Sequence, residues 1–76
     1  MPPKFKTLDV RPIIARGGEP LPAIRARIDT LASGEGLSII APFLPSPLIE
    51  KLASEGFQSR VEHQSGFWVT HFWRDD

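Results

Sequence analysis

The sequence predicts a small α/β domain: a β-α-β-α-β-β two-layer sandwich with two helices on one face of a four-stranded mixed sheet. Three observations predict it. Two segments carry apolar residues at helical spacing and are bounded by proline and glycine; four segments are alternating or continuously apolar; and the two kinds interleave. Strand-helix-strand units in one sheet need crossover connections, and these place both helices most economically on the same face. The 76 residues are enough for one domain only. Residues 1–76 are therefore read as a single unit, with Met1 to Lys4 as a short flexible tail.

Phe5 to Val10 alternates and reads as the first strand, with Leu8 and Val10 toward the core. Pro12 ends it, and Pro12 to Gly18 reads as a loop whose Gly17-Gly18 pair allows a tight turn. In the first helix Leu21, Ile24, Ile28 and Leu31 fall at spacings of three and four, while Arg25, Arg27 and Asp29 take other faces. Pro20 and Pro22 fit only its first turn, and Ser33-Gly34 closes it. Leu37 to Ala41 is a nearly continuous apolar run, as an inner strand requires, and Pro42 stops it. The second helix has Ser46 as N-cap, Pro47 in the first helical position, Leu48, Ile49, Leu52 and Ala53 on the apolar side, and Gly56 at its end. Phe57 is placed to pack back on Leu52.

Phe57 to Gln64 and Phe67 to Arg74 then form a hairpin across Ser65-Gly66. With a two-residue turn, His63 pairs with Trp68, the core takes Phe57, Val61, Trp68 and Phe72, and Phe67, Val69, His71 and Trp73 lie on the other face. A three-residue loop swaps the two sets, because side chains alternate along a strand; the two-residue turn is preferred. The second sheet face has no helix left to cover it, so its apolar groups meet water or a partner.

Composition narrows the function. Nine basic and nine acidic residues give a formal charge of zero, so no global field draws the chain to nucleic acid or acidic lipid. No stretch approaches the roughly 18 apolar residues of a membrane span, and nothing near Met1 reads as a leader, so a soluble, cytoplasmic protein is expected. A chain this short buries only about 60% of its unfolded surface, and without cysteine it has no disulfide to help. A protein partner or a homodimer becomes the expected reinforcement.

Leu8-Asp9-Val10-Arg11, the Glu19-Pro20 pair, the apolar spacing of the first helix and Ser33 to Ile40 resemble the TusA/SirA-like sulfur-carrier superfamily over most of the chain. More specifically they resemble its cysteine-free relatives. These are a bacterial domain family of unknown function, often found beside hemerythrin-like domains or in denitrification and respiratory gene neighbourhoods. The resemblance implies the β-α-β-α-β-β sandwich, also seen in the C-terminal domain of bacterial translation initiation factor three. In the carriers a Cys-Pro-x-Pro motif at the start of the first helix holds the working thiol, where the helix dipole favours a thiolate. Counting back from Gly34 without a gap puts Gly17 at the cysteine position and Pro20 at the second proline. Aligned instead by motif appearance, Glu19-Pro20-Leu21-Pro22 puts Glu19 there. Neither residue forms a persulfide and the chain has no cysteine, so transfer by a protein thiol is excluded. The loop after Arg11 is also longer than the family's usual spacing.

Two groups of residues remain as candidate sites. Arg11, Arg16, Gly17, Gly18, Glu19 and Pro20 surround the entrance of the first helix, where a glycine-rich turn and guanidinium groups suit an anion or small ligand. Against this, Arg11 has Asp9 or Glu19 to pair with, and Glu19 repels an anion. Phe67, Val69, His71 and Trp73 form the candidate interface, since aromatic groups on an open sheet face contact a protein, a second copy or stacked bases. Packing under neighbouring side chains in a central strand accounts for them equally. An RNA face needs clustered cations, and the third strand offers Arg60 beside Glu62. His63 and His71 point to opposite faces in the two-residue register, so no metal site and no cofactor is expected. Ser38, Ser59 and Ser65 carry no nucleophile elbow, and no enzymatic activity is expected. The readings left open are a non-catalytic accessory module acting through a protein partner in redox, respiratory or sulfur metabolism, an anion or small-ligand binder, and an RNA-binding module.

Overall fold

The computed structural model describes residues 4–74. Its elements are β1 (Lys4–Asp9), α1 (Arg11–Ala15), α2 (Leu21–Asp29), β2 (Glu35–Ala41), α3 (Ser46–Ser54), β3 (Gln58–Gln64) and β4 (Phe67–Trp73). The four strands form one mixed sheet in the order β1-β2-β4-β3, with β1 parallel to β2 and β4 antiparallel to both its neighbours. This is the predicted α/β sandwich, with one helix more than the sequence reading gave.

The additional helix is α1, which stands where the loop from Pro12 to Gly18 was expected. Pro12 does not stop the chain; it sits in the first helical turn, where its missing N–H costs nothing. Ile13 and Ile14 turn toward the core and hold the turn in place. The end is closed by a Schellman arrangement: Gly17 N–H donates to the Ile14 carbonyl and Gly18 N–H to the Ile13 carbonyl, both at 2.9 Å. Gly17 has φ +77°, a conformation that L side chains resist.

Other boundaries shift for local reasons. Lys4, assigned to the tail, is the first residue of β1, pairs with Glu35 and donates its N–H to the Gly34 carbonyl; the rest of the proposed tail, residues 1–3, lies outside the described residues. In α3 the N-cap is Pro45 rather than Ser46, and no side-chain hydrogen bond caps the helix. Its C-terminus is as read: Gly56 N–H reaches the Ala53 carbonyl and Phe57 N–H the Leu52 carbonyl, which returns Phe57 to the core beside Leu52.

The hairpin has the two-residue turn, with His63 opposite Trp68 and Gly66 at φ +83°. Phe72 and Phe57 are buried as expected, Trp68 is half-buried, and Val61 is a correction at 38% exposure. Val61 faces the helix side, opposite Thr70, but β3 is the sheet edge and the helices leave it uncovered. The core lies between α2, α3 and the inner sheet face, and is made of Val10, Ile24, Ile28, Leu37, Ile39, Ala41, Leu52, Phe57 and Phe72. No helix among the described residues is long and apolar enough to cross a membrane.

Candidate functional site

The loop before α2 does not gather its six candidate residues into an anion site. The Arg11 guanidinium grips the Asp9 carboxylate through Nε at 3.0 and 3.2 Å and Nη2 at 2.8 Å, and the Arg11 backbone N–H donates to the same carboxylate. These bonds hold the Asp9 carboxyl below its usual range and raise the guanidinium in turn. Arg11 also lies 4.9 Å over the Phe67 ring, which commits it to the outer sheet face. Arg16 is the exposed C-cap of α1, and the N–H groups of Gly17 and Gly18 are consumed in closing that helix. Glu19 is exposed ahead of α2. Pro20, at the N-cap of α2, lines an apolar cavity.

Phe67, Val69, His71 and Trp73 do share the outer face, all half-buried. Phe5 of β1 joins them: its ring is 5.2 Å from His71 and 6.1 Å edge-on from Trp73, over Gly36, where any Cβ would strike it. The face is not continuously apolar. The ladder aligns Thr7, Ser38, His71 and Arg60 in one polar row that separates Phe5 and Trp73 from Ile40 and Val69.

Within that row lies a group the sequence reading did not assemble. Ser38 Oγ and His71 Nδ1 share a hydrogen bond of 2.7 Å, and His71 Nε2 is 3.5 Å from a Glu62 carboxylate oxygen. The set has the members of a hydrolytic triad but lacks its surroundings. Ser38 is buried in the middle of a strand, where backbone N–H groups are taken by the ladder and none is left to stabilise an oxyanion. His63 is on the opposite face, stacked on Trp68 at 4.0 Å, so the two histidines cannot meet. No group of three metal-ligating side chains occurs among the described residues.

An apolar concavity lies at the carboxyl ends of the parallel strands β1 and β2. It has a volume of 260 Å³. Val10, Ile24, Ile39 and Ala41 form its buried floor, and Ile14, Pro20, Pro45 and Leu48 its walls. Leu21, Phe43, Pro47 and Lys51 stand exposed around its mouth. Leu21 and Phe43 are 42% and 49% exposed. The position follows from the topology: α2 and α3 both begin near this end of the sheet, after β1 and β2, and the pocket lies between their first turns and the strand ends. Pro20 and Pro45 stiffen the walls, and Pro47 the mouth.

Sequence reasoning missed this pocket because its residues read as core. Leu21 was assigned to the buried stripe of the first helix, whereas only Ile24 and Ile28 of that helix are buried. The available signal was Pro42-Phe43-Leu44-Pro45, a connection more apolar than a solvated loop requires.

Residues 7–74 match the model of a family described as an uncharacterized conserved protein (DUF2249). No curated protein and no solved structure matches the chain.

Proposed function

We propose the following function for this chain, which belongs to the DUF2249 family: it is a non-catalytic binding module whose site is the apolar pocket at the entrance of α2, and it holds a small apolar ligand there. The observation that supports the reading is a 260 Å³ concavity walled by apolar side chains, with Leu21 and Phe43 left exposed at its mouth. A cavity of about 150 Å³ with similar walls stays dry and admits benzene. The present one has room for a bicyclic ring or a medium-length alkyl chain. Kinship with the TusA/SirA-like carriers belongs to the same proposal: Pro20, which the resemblance places in the carriers' motif, stands in the pocket wall.

The test is calorimetric titration with octanol, comparing the wild type with Ala41→Leu, which fills the buried floor. Saturable binding by the wild type and loss of binding in a folded Ala41→Leu variant support the reading. Absence of saturable binding by the wild type refutes it.

A second reading, a second copy of the chain docked on the outer face, is favoured by one observation: Phe67, Val69 and Trp73 stay partly exposed on a side without helices. Two neutral chains do not repel each other. Sedimentation over a concentration range should show a dimer that Trp73→Ala weakens, and a strictly monomeric wild type overturns it. RNA is not carried forward, because Arg11 is held by Asp9 and, among the described residues, Arg60 is the one other Lys or Arg in the strands' outer-face rows.

A further inference from the structure

We infer that the ligand of this pocket is a small apolar monocarboxylate, its hydrocarbon body within and its carboxylate at the mouth beside Lys51 and the first turns of α2 and α3. The inference rests on the binding function proposed above and adds the chemical class of what is bound.

The walls fix the body of the ligand. Pro20, Leu21, Ile24, Ile39, Ala41 and Leu48 offer no side-chain donor or acceptor. A polar atom of the ligand placed among them would lose its water with nothing in return, at a cost that excludes polar or multiply hydroxylated ligands. Any polar group must therefore sit at the opening.

The opening fixes the sign of that group. Among the described residues Lys51 is the only ionisable one lining the pocket. Its natural partner one turn on, Glu55, is instead held bidentate by Arg25 at 2.6 and 2.8 Å, and no carboxylate among the described residues is within ion-pair distance of Lys51. Two helices also begin here. Pro20 and Leu21 open α2, and Pro45, Pro47 and Leu48 open α3. Neither start has a side-chain cap or an acidic residue in its first turn, where an anion is favoured by the helix dipole. Asp9, Glu19 and Glu50 each adjoin a lining residue in sequence, and none of the three is in the lining. An apolar pocket thus meets a mouth whose one lining charge, among the described residues, is the Lys51 ammonium. A cationic or zwitterionic head would oppose that field, and a neutral head would leave it unused.

The far end of the sheet is where the described chain begins and ends. Lys4 pairs with Glu35 and Trp73 with Gly36, whereas the pocket is at Val10 and Ala41. Neither end of the described chain therefore covers the mouth.

The test compares octanoate with octanol, probes of equal chain length that differ only in the head. Titrations followed by calorimetry use the wild type, Lys51→Met and Ala41→Leu, with circular dichroism confirming that each variant is folded. Octanoate should bind about ten-fold more tightly than octanol at low salt, and Lys51→Met should reduce that preference about three-fold. Ala41→Leu should abolish binding of both. Equal affinity for the two probes overturns the inference and leaves the pocket function standing. Failure of both probes to bind overturns both. Octanoate binding that neither substitution changes also overturns the inference, because the carboxylate is then held elsewhere.

Discussion

Replacing Thr70 by valine should stabilise the protein. Thr70 is fully buried between Ile39 and Val61 on the inner sheet face, and its Oγ1 has no hydrogen-bond partner among the described residues. A buried hydroxyl left unpaired costs about 1–3 kcal/mol, and the isosteric methyl restores that loss and adds up to about 0.8 kcal/mol of apolar burial. Strand geometry favours the β-branched shape in both residues, so the backbone has no reason to move. Allowing for partial hydration of the hydroxyl in the unfolded chain, the expected gain is about 1.5 kcal/mol. For a domain of this size that raises Tm by about 6–12 °C. The assay is urea unfolding followed by tryptophan fluorescence, with thermal melts alongside. The midpoint should rise at constant m, while Thr70→Ser, which keeps the hydroxyl and loses the methyl, should lower stability by about 1 kcal/mol. If Thr70→Val is neutral or destabilising at constant m, the hydroxyl has a partner in solution and the reasoning fails.

Three further outcomes follow from the same structure. Gly36→Ala would place a Cβ 2.5 Å from the Phe5 ring and 2.6 Å from the Phe72 carbonyl oxygen, so urea unfolding should show a loss of about 2 kcal/mol. The double variant with Phe5→Ala should recover only part of it, because the ring can leave and the backbone oxygen cannot. Acid should destabilise the fold: Arg25 holds the Glu55 carboxyl, the Ala32 N–H the Glu35 carboxyl and Arg11 the Asp9 carboxyl below their ordinary values of 4.5, 4.5 and 3.8. A depressed folded-state value means a contribution fully present above the ordinary value and lost as pH falls through the lowered one, so the urea midpoint should drop below about pH 4.5, and Glu55→Gln should flatten that decline. Inorganic phosphate should leave the amide resonances of Gly17 and Gly18 in place, since both N–H groups already close α1; a saturable shift at those amides would restore the anion reading of this loop.

Much of the fold was legible in the chain. The hairpin register could be read because Ser65-Gly66 fixes the turn and a slip by one residue would exchange Phe72 for His71 in the core. The C-terminus of α3 could be read because Gly56 and Phe57 supply both halves of a Schellman cap. The helix α1 escaped because five residues give no periodicity, and it depends on contacts of Ile13 and Ile14 with residues distant in sequence. Val61 was misplaced because alternation tells which face a side chain takes, not whether a helix reaches over it. The candidate site was legible only in part. Phe67, Val69, His71 and Trp73 share a face because strand periodicity requires it. The pocket joins Val10 and α1, α2, β2, the Pro42-to-Pro45 connection and α3, and only tertiary packing brings those together.

The most direct test of the account is a methyl carbon–proton correlation spectrum of the labelled protein titrated with octanoate. The account predicts selective, saturable shifts at Val10, Ile24, Ile39, Ala41 and Leu48, with Ile40 and Val69 on the outer sheet face unmoved. Shifts confined to Ile40 and Val69, or a spectrum that does not change, would contradict it.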